Sequence, residues 1–360
     1  MAKEGRSRGT SWQNFMKASG IVVLAVVLLA LPRSSWAQGA YKLWTQGDYK
    51  LNVPLGLDAD RMVIPKDNPL TAAKVELGKI LFFDPRLSGD DTVACASCHS
   101  PQFGFSNGLA TAIGVEGQRG GRSSPVAINR VFSTLQFWDG RAASVEDQAL
   151  GPIQASIEMG HDLEAVVAKL KGIPGYSELF GKAFGTDVTS DGIAKAIASF
   201  ERTLLSGNSP FDRYKAGQIS ALTPEARRGW QIFLKKANCA TCHAGFNFTD
   251  EDFHNIGVGM DKPEPDLGRF DVTKVDADRG AFKTPTLRDV ALSAPYMHDG
   301  SRKSLVEVID YYDQGGAKNT WLDKGMKPLG LTDQEKQDLL AFLKALTGMP
   351  IVVQVPRLPE

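Results

Sequence analysis

The chain has 360 residues, 42% of them hydrophobic, with 41 basic and 41 acidic side chains and no net charge. That length suits about two domains with separate cores, and the charge balance excludes the basic surface of a nucleic-acid binder or a polybasic membrane anchor. All four cysteines fall in two short motifs, which leaves none for a disulfide framework.

At the N-terminus, Lys17 precedes an apolar run from Ile21 to Leu31, followed by Pro32 and the small-x-small site Ser35-Trp36-Ala37. This order marks residues 1–37 as a secretory signal peptide, cleaved after Ala37. The run has eleven residues, whereas a helix needs about twenty to span a bilayer. No stable membrane anchor is expected, and export places the mature chain in the periplasm; a retained anchor is the competing reading. Met16, just ahead of the run, is an alternative start.

Residues 38–70 carry several Gly and Pro and little periodicity, which suggests an extended arm. A helix from Ala72 to Phe83 follows, with Val75, Leu77, Ile80, Leu81 and Phe82 as its apolar stripe and Asp84-Pro85 as its stop. Then comes Cys95-Ala96-Ser97-Cys98-His99. The Gly-rich stretch from Gly114 to Gly121 follows no clear strand and lacks G-x-G-x-x-G, so a phosphate cradle is not expected.

Ser190 caps a helix with Ile193, Ile197, Phe200 and Leu204 on one face, and Ser206-Gly207-Asn208-Ser209-Pro210 reads as a linker. Thr223-Pro224-Glu225 then opens a helix carrying Trp230, Ile232, Phe233 and Leu234 into Cys239-Ala240-Thr241-Cys242-His243. The match of Gly78-Lys79-Ile80-Leu81-Phe82 to Gly229-Trp230-Gln231-Ile232-Phe233 suggests a duplicated unit. Thr332-Asp333-Gln334-Glu335 is a capping box that opens a last helix, closed by Gly348. Extended segments are few, so the chain reads as mostly α.

Two cysteines separated by two residues, with a histidine directly after, form the attachment signature of a c-type haem. The thiols bond the haem vinyl groups and the histidine becomes the proximal iron ligand. Structural zinc would want two neighbouring pairs, but these begin 144 positions apart, at Cys95 and Cys239. A thioredoxin-like motif would want a βαβ context, which is not found. Cys95, Cys98, Cys239 and Cys242 therefore bind two covalent haems, with His99 and His243 on the irons, and this agrees with export. For the sixth iron position the remaining histidines are His161, His254 and His298, each in a polar or turn-like context that favours a surface or capping role over ligation. Met326 competes with Tyr311 and Tyr312 on the second haem.

The chain resembles the bacterial di-haem cytochrome c peroxidase and MauG superfamily from Leu77 through Leu346. The matching segments are Phe137-Trp138-Asp139-Gly140-Arg141-Ala142, Gln148-Ala149-Leu150-Gly151-Pro152-Ile153, Glu158-Met159-Gly160, Phe282-Lys283-Thr284-Pro285-Thr286-Leu287-Arg288 and Ala294-Pro295-Tyr296-Met297-His298-Asp299-Gly300. The resemblance implies an all-α fold of two cytochrome c-like domains, at 38–205 and 206–360, each with one covalent haem. It implies a peroxide-reducing oxidoreductase in which Glu158 and Gln148 stand over the first haem and Trp138 lies between the two. There Glu158 would take a proton from bound peroxide and return it to the departing oxygen.

Two positions separate the branches of that family. Val115 occupies the place of a loop histidine that caps the first haem in typical members, so this haem is expected to be open to peroxide. Tyr312 occupies the place of the usual methionine on the second haem, as in the MauG-like branch. The family's calcium site would map to Ser293 and Pro295, with Ser123 in place of its asparagine. The electron source is expected to be a small redox protein (a cytochrome c or a cupredoxin) or a protein substrate oxidised at tryptophan, as MauG-type enzymes do. The rival reading is a non-catalytic di-haem electron carrier.

Overall fold

The computed structural model describes residues 41–47 and 49–360; the expected signal peptide lies outside the described residues. The chain is mostly helical, with two small two-stranded sheets. β1 (Tyr41–Gln46) pairs antiparallel with β2 (Tyr49–Pro54), Gln46 opposite Tyr49. Residues 38–70 thus contain a hairpin rather than only an extended arm. Its inward Leu51 and Val53 bury against Leu70, Val131, Phe132 and Leu205, which supplies the reason for the alternation.

The first unit comprises α1 (Ala72–Phe82), α2 (Cys95–Cys98), α3 (Val145–Gln154), α4 (Leu163–Lys171), α5 (Pro174–Phe184) and α6 (Ser190–Glu201). The second comprises α7 (Pro210–Lys215), α8 (Pro224–Leu234), β3 (Phe253–His254), α9 (Arg269–Thr273), β4 (Phe282–Lys283), α10 (Leu305–Asp313) and α11 (Asp333–Lys344). Caps fix the starts. Thr71 accepts from Lys74 N, Thr223 from Ala226 N, and Thr332 forms the capping box with Glu335. Thr189 caps α6, one residue ahead of the expected Ser190.

Each unit has its own core. Leu77, Leu81, Phe82, Ile153, Ile197 and Phe200 lie in the first, and Phe211, Phe233, Phe248, Phe342 and Leu346 in the second. The duplication is geometric as well as sequential. A methyl group on Gly78 would lie 1.8 Å from the Ala196 carbonyl oxygen of α6, and one on Gly229 1.9 Å from the Asp338 carbonyl oxygen of α11. In both units, therefore, the helix that leads into the haem motif crosses the closing helix at a glycine that lets the backbones touch. A later stretch repeats at a constant offset of 160 residues. Asn129 and Asp289 precede short 3₁₀ turns in the left-handed region, Phe137 matches Met297, Gly140 matches Gly300, and the caps Ser144 and Ser304 open α3 and α10.

Two features join the units. Ser206, Gly207, Asn208 and Ser209, which read as a linker, are buried; Ser209 caps α7, and Asn129 brackets Ser206 through both its amide and its carbonyl. Residues beyond α11 then return to the first unit. Ile351, Val353 and Leu358 pack on its core, and Pro359 O accepts from Arg86 Nη1 at 3.1 Å.

Candidate functional site

The two C-x-x-C-H motifs open onto two cavities, of about 430 Å³ at His99 and about 300 Å³ at His243, in or near the size range of small-ligand and cofactor sites. Cys95, Cys98 and His99 line the first; Cys239, Cys242 and His243 line the second. His99 Nδ1 meets Phe105 O at 3.1 Å and His243 Nδ1 meets Phe248 O at 3.0 Å. In each case the accepting phenylalanine has a positive φ, 61° and 52°, which turns its carbonyl back to the ring. Such a bond fixes the tautomer and leaves Nε2 for iron, the usual arrangement of a metal-bound histidine. Burial lowers the pKa of both imidazoles, which keeps them neutral, as ligation requires.

The thiols are unpaired, and burial pushes Cys95 well above the usual range and Cys239 up to about 12. Buried neutral thiols suit neither a redox dithiol nor a thiolate metal site. Paired cysteines and a free imidazole nitrogen on one apolar cavity wall do fit a covalent haem.

In the first cavity, α3 presents Gln148, Ala149 and Pro152, and the turn after it brings Glu158. That turn is held from behind. Val115 N donates to Glu158 O at 2.8 Å, and a methyl group on Gly114 would lie 2.1 Å from Ile157 O. Val115 itself is buried in the first core, outside the cavity wall. Its role is to support the Glu158 turn, and it offers no ligand. Burial raises the Glu158 pKa, against the pull of the Arg141 charge. Desolvation of this kind readies a carboxylate to exchange protons nearer neutral pH.

In the second cavity, α10 presents Val308 and Tyr312. By the offset of 160, Tyr312 stands where Pro152 stands in the first unit, and Val308 where Gln148 stands. The duplicated scaffold thus carries a tyrosine in one copy and a proline in the other. The Tyr311 hydroxyl is engaged, donating to Ile256 O at 2.9 Å and accepting from Ala317 N at 3.1 Å, whereas Tyr312 lines the cavity together with Met326. Burial raises the Tyr312 pKa, so a ferric ion would have to draw off its proton.

Among the other histidines, both nitrogens of His254 meet carboxylates, Asp323 at 2.7 Å and Asp250 at 2.9 Å. His298 is buried and stacks on Phe282, with ring centroids 3.6 Å apart. His161 lines neither cavity. Cys242, Asp250 and His254 form the only close His/Cys/carboxylate group among the described residues, and its sulfur belongs to the haem motif.

Ser123 to Val126, Arg130, Phe137 and Trp138 line both cavities, so the two share a wall. Trp138 is fixed within it: Nε1 donates to Ser123 O at 2.8 Å, and its carbonyl accepts from Lys283 N of the second unit at 2.8 Å. Ser293 and Pro295 line the second cavity beside Ser123. These three supply neutral oxygens, whereas calcium sites normally include carboxylates.

The chain matches a family model described as di-haem cytochrome c peroxidase over residues 72–220, and one described as cytochrome c over residues 226–347. It is 46% identical over 299 residues to the methylamine utilization protein MauG of Methylorubrum extorquens, covering 82% of this chain and 84% of that protein. The chain belongs to the di-haem cytochrome c peroxidase and MauG family. It is also 37% identical over 303 residues to the cytochrome c551 peroxidase of Pseudomonas aeruginosa, covering 82% of this chain and 84% of that one. The crystal structure of a MauG-like protein associated with microbial copper homeostasis superposes with a TM-score of 0.77 at 32% identity, covering 85% of this chain and 96% of that one. As a member of this family the chain is an oxidoreductase acting on peroxide, built from two cytochrome c-like domains with two covalent c-type haems.

Sequence reasoning missed Arg130, Arg141, Glu201 and Lys283, which line one or both cavities. None stands at a motif spacing. For Arg130 the internal repeat was the available signal, since its partner position holds Val290.

Proposed function

We propose that peroxide is reduced in the His99 cavity and that electrons arrive by way of the second cavity, where Tyr312 would hold the haem iron together with His243. The observation that carries this reading is the asymmetry of the duplicated scaffold: Tyr312 in one copy, Pro152 in the other, with Glu158 added only beside the second of these. A haem held by Cys95, Cys98 and His99 would supply a redox-active iron for the two-electron reduction of peroxide. Glu158, ionised, takes the proton from the near peroxide oxygen and delivers it to the far one as the O–O bond breaks. The Gln148 amide orients the peroxide by hydrogen bonding. Each turnover consumes one peroxide, two electrons and two protons and yields two waters. Trp138, held from both units, carries charge across the shared wall.

The electron source is a small redox protein or a tryptophan side chain of a partner protein. Tyr312 favours the second, because an anionic oxygen ligand stabilises oxidised iron whereas a thioether stabilises ferrous iron. Export follows from the signal sequence, and none of the described helices is long and apolar enough to cross a membrane.

The test is to mix the ferric holoprotein with one equivalent of hydrogen peroxide, with and without reduced cytochrome c. Consumption of peroxide with a spectral change at one haem supports the reading. Repeated oxidation of the cytochrome assigns peroxidase turnover, and a slow response that ignores it assigns partner oxidation. No reaction with peroxide would leave an electron carrier.

A further inference from the structure

Arg130 opens the 3₁₀ turn Arg130–Phe132, in the wall that the two cavities share. Its guanidinium makes one hydrogen bond, a long one from Nε to Ile128 O at 3.4 Å, and no ion pair among the described residues. Of the other arginines close to this seam, Arg269 donates to two backbone carbonyls, Asp139 O and Gly140 O, and four are ion-paired. Arg122 meets Asp139 at 2.6 Å and Asp266 at 2.7 Å, Arg141 meets Asp139 at 3.0 Å, Arg202 meets Glu146 at 2.7 Å, and Arg288 meets Asp212 at 2.8 Å.

Among the described residues no carboxylate comes within ion-pair distance of Arg130, although two lie near it. In the first cavity the near carboxyl is Glu201, which is 6% exposed and forms no ion pair with Arg130; burial pushes its pKa up to about 7 although the Arg130 and Arg202 charges pull it down. In the second cavity Lys283 is 5% exposed and pairs with Glu251 at 2.7 Å, yet burial and the Arg130 charge lower its pKa to about 8. A half-buried guanidinium left without a counter-charge is costly. The internal repeat places Val290 at the matching position, so the duplicated scaffold does not itself require a cation here.

Each haem carries two propionate carboxylates, the anion that a guanidinium fork matches best. We propose that Arg130 is a shared anchor that binds one propionate from each haem, so that both porphyrins turn carboxylates toward the wall holding Trp138. Arg130 would then position both haems relative to that tryptophan and act as a charge felt by both irons. This rests on the two covalent haems and not on the peroxide chemistry, so failure of one reading leaves the other standing.

The experiment uses the holoprotein with Arg130→Gln and Arg130→Lys, read by haem content, by spectroelectrochemical titration of both haems and by resonance Raman bands of the propionate groups. Thioether attachment keeps both haems in place. Arg130→Gln is expected to lower both midpoint potentials, because removing a positive charge disfavours the ferrous state, and to shift the propionate bands of both haems. Arg130→Lys is expected to restore the potentials while leaving the bands shifted, since an ammonium keeps the charge and loses the fork. Unchanged potentials in Arg130→Gln, or a response confined to one haem, would overturn the proposal. If Arg130→Gln does not fold, unshifted propionate bands in Arg130→Lys would overturn it equally.

Discussion

The crossing of α8 over α11 invites a direct test, Gly229→Ala. The added methyl would lie 1.9 Å from Asp338 O and 2.9 Å from Phe342 Cβ. Because an ordinary contact begins near 3.4 Å, the helices must part by about 1.5 Å. Overpacking typically costs about 1–3 kcal/mol, and a backbone oxygen, which cannot rotate away, places this site near the top of that range. The better helix propensity of alanine returns about 1 kcal/mol. The net loss is about 2 kcal/mol, or a fall in melting temperature of about 4–8 °C. Phe233, Leu339 and Leu343, which these two helices contribute to the second cavity, would shift with them. The spectrum of the second haem should therefore change while that of the first holds. Gly78→Ala should do the converse through Ala196 and α6. Gly181→Ala, at an exposed position of α5 with nothing within 4 Å, is the control and should stabilise by up to about 1 kcal/mol. Thermal melts followed by circular dichroism and at the Soret band decide the matter. A Gly229→Ala melting point at or above that of wild type would refute the crossing argument.

Glu158→Gln should slow the reaction with peroxide by about 10²- to 10⁴-fold while leaving both haems attached, as stopped-flow and haem-content measurements would register. Because burial raises the Glu158 pKa above 4.5, its basic form is lost as pH falls through a midpoint above that value. The wild-type rate should drop on that acid limb, and Glu158→Gln should lack it. Tyr312→Met should raise the midpoint potential of the second haem and alter its low-spin signal; an unchanged signal in electron paramagnetic resonance would remove Tyr312 as a ligand. Trp138→Phe should slow electron exchange between the haems in flash-photolysis measurements, with each haem's own spectrum retained.

Locally encoded features were the legible ones. The haem motifs, the Thr71 and Thr223 helix starts and the Thr332 capping box depend on residues a few positions apart, and the fold keeps each of them. The hairpin at Tyr41–Pro54 was missed because each strand is short and only Leu51 and Val53 bury deeply, which leaves a weak alternation. The Ser206–Ser209 stretch has the composition of a loop, yet it is buried because partners from far along the chain satisfy its backbone groups, Asn129 at Ser206, Met349 at Gly207 and Leu55 at Asn208. At the site, ligand identity could be read and neighbours could not. Nothing near Val115 in sequence reveals that it braces the Glu158 turn, and nothing near Arg130 or Lys283 reveals a shared wall. Such relations exist only once the chain has closed.

The return of residues 350–360 to the first unit sets an order of events. Ile351, Val353 and Leu358 complete a core begun at Leu77, and the Glu360 carbonyl accepts from Gly175 N at 3.2 Å. During synthesis Cys95 and Cys98 emerge long before these residues do. The first unit's hydrophobic interior thus lacks a wall until the second unit has been made, and only then can it finish closing.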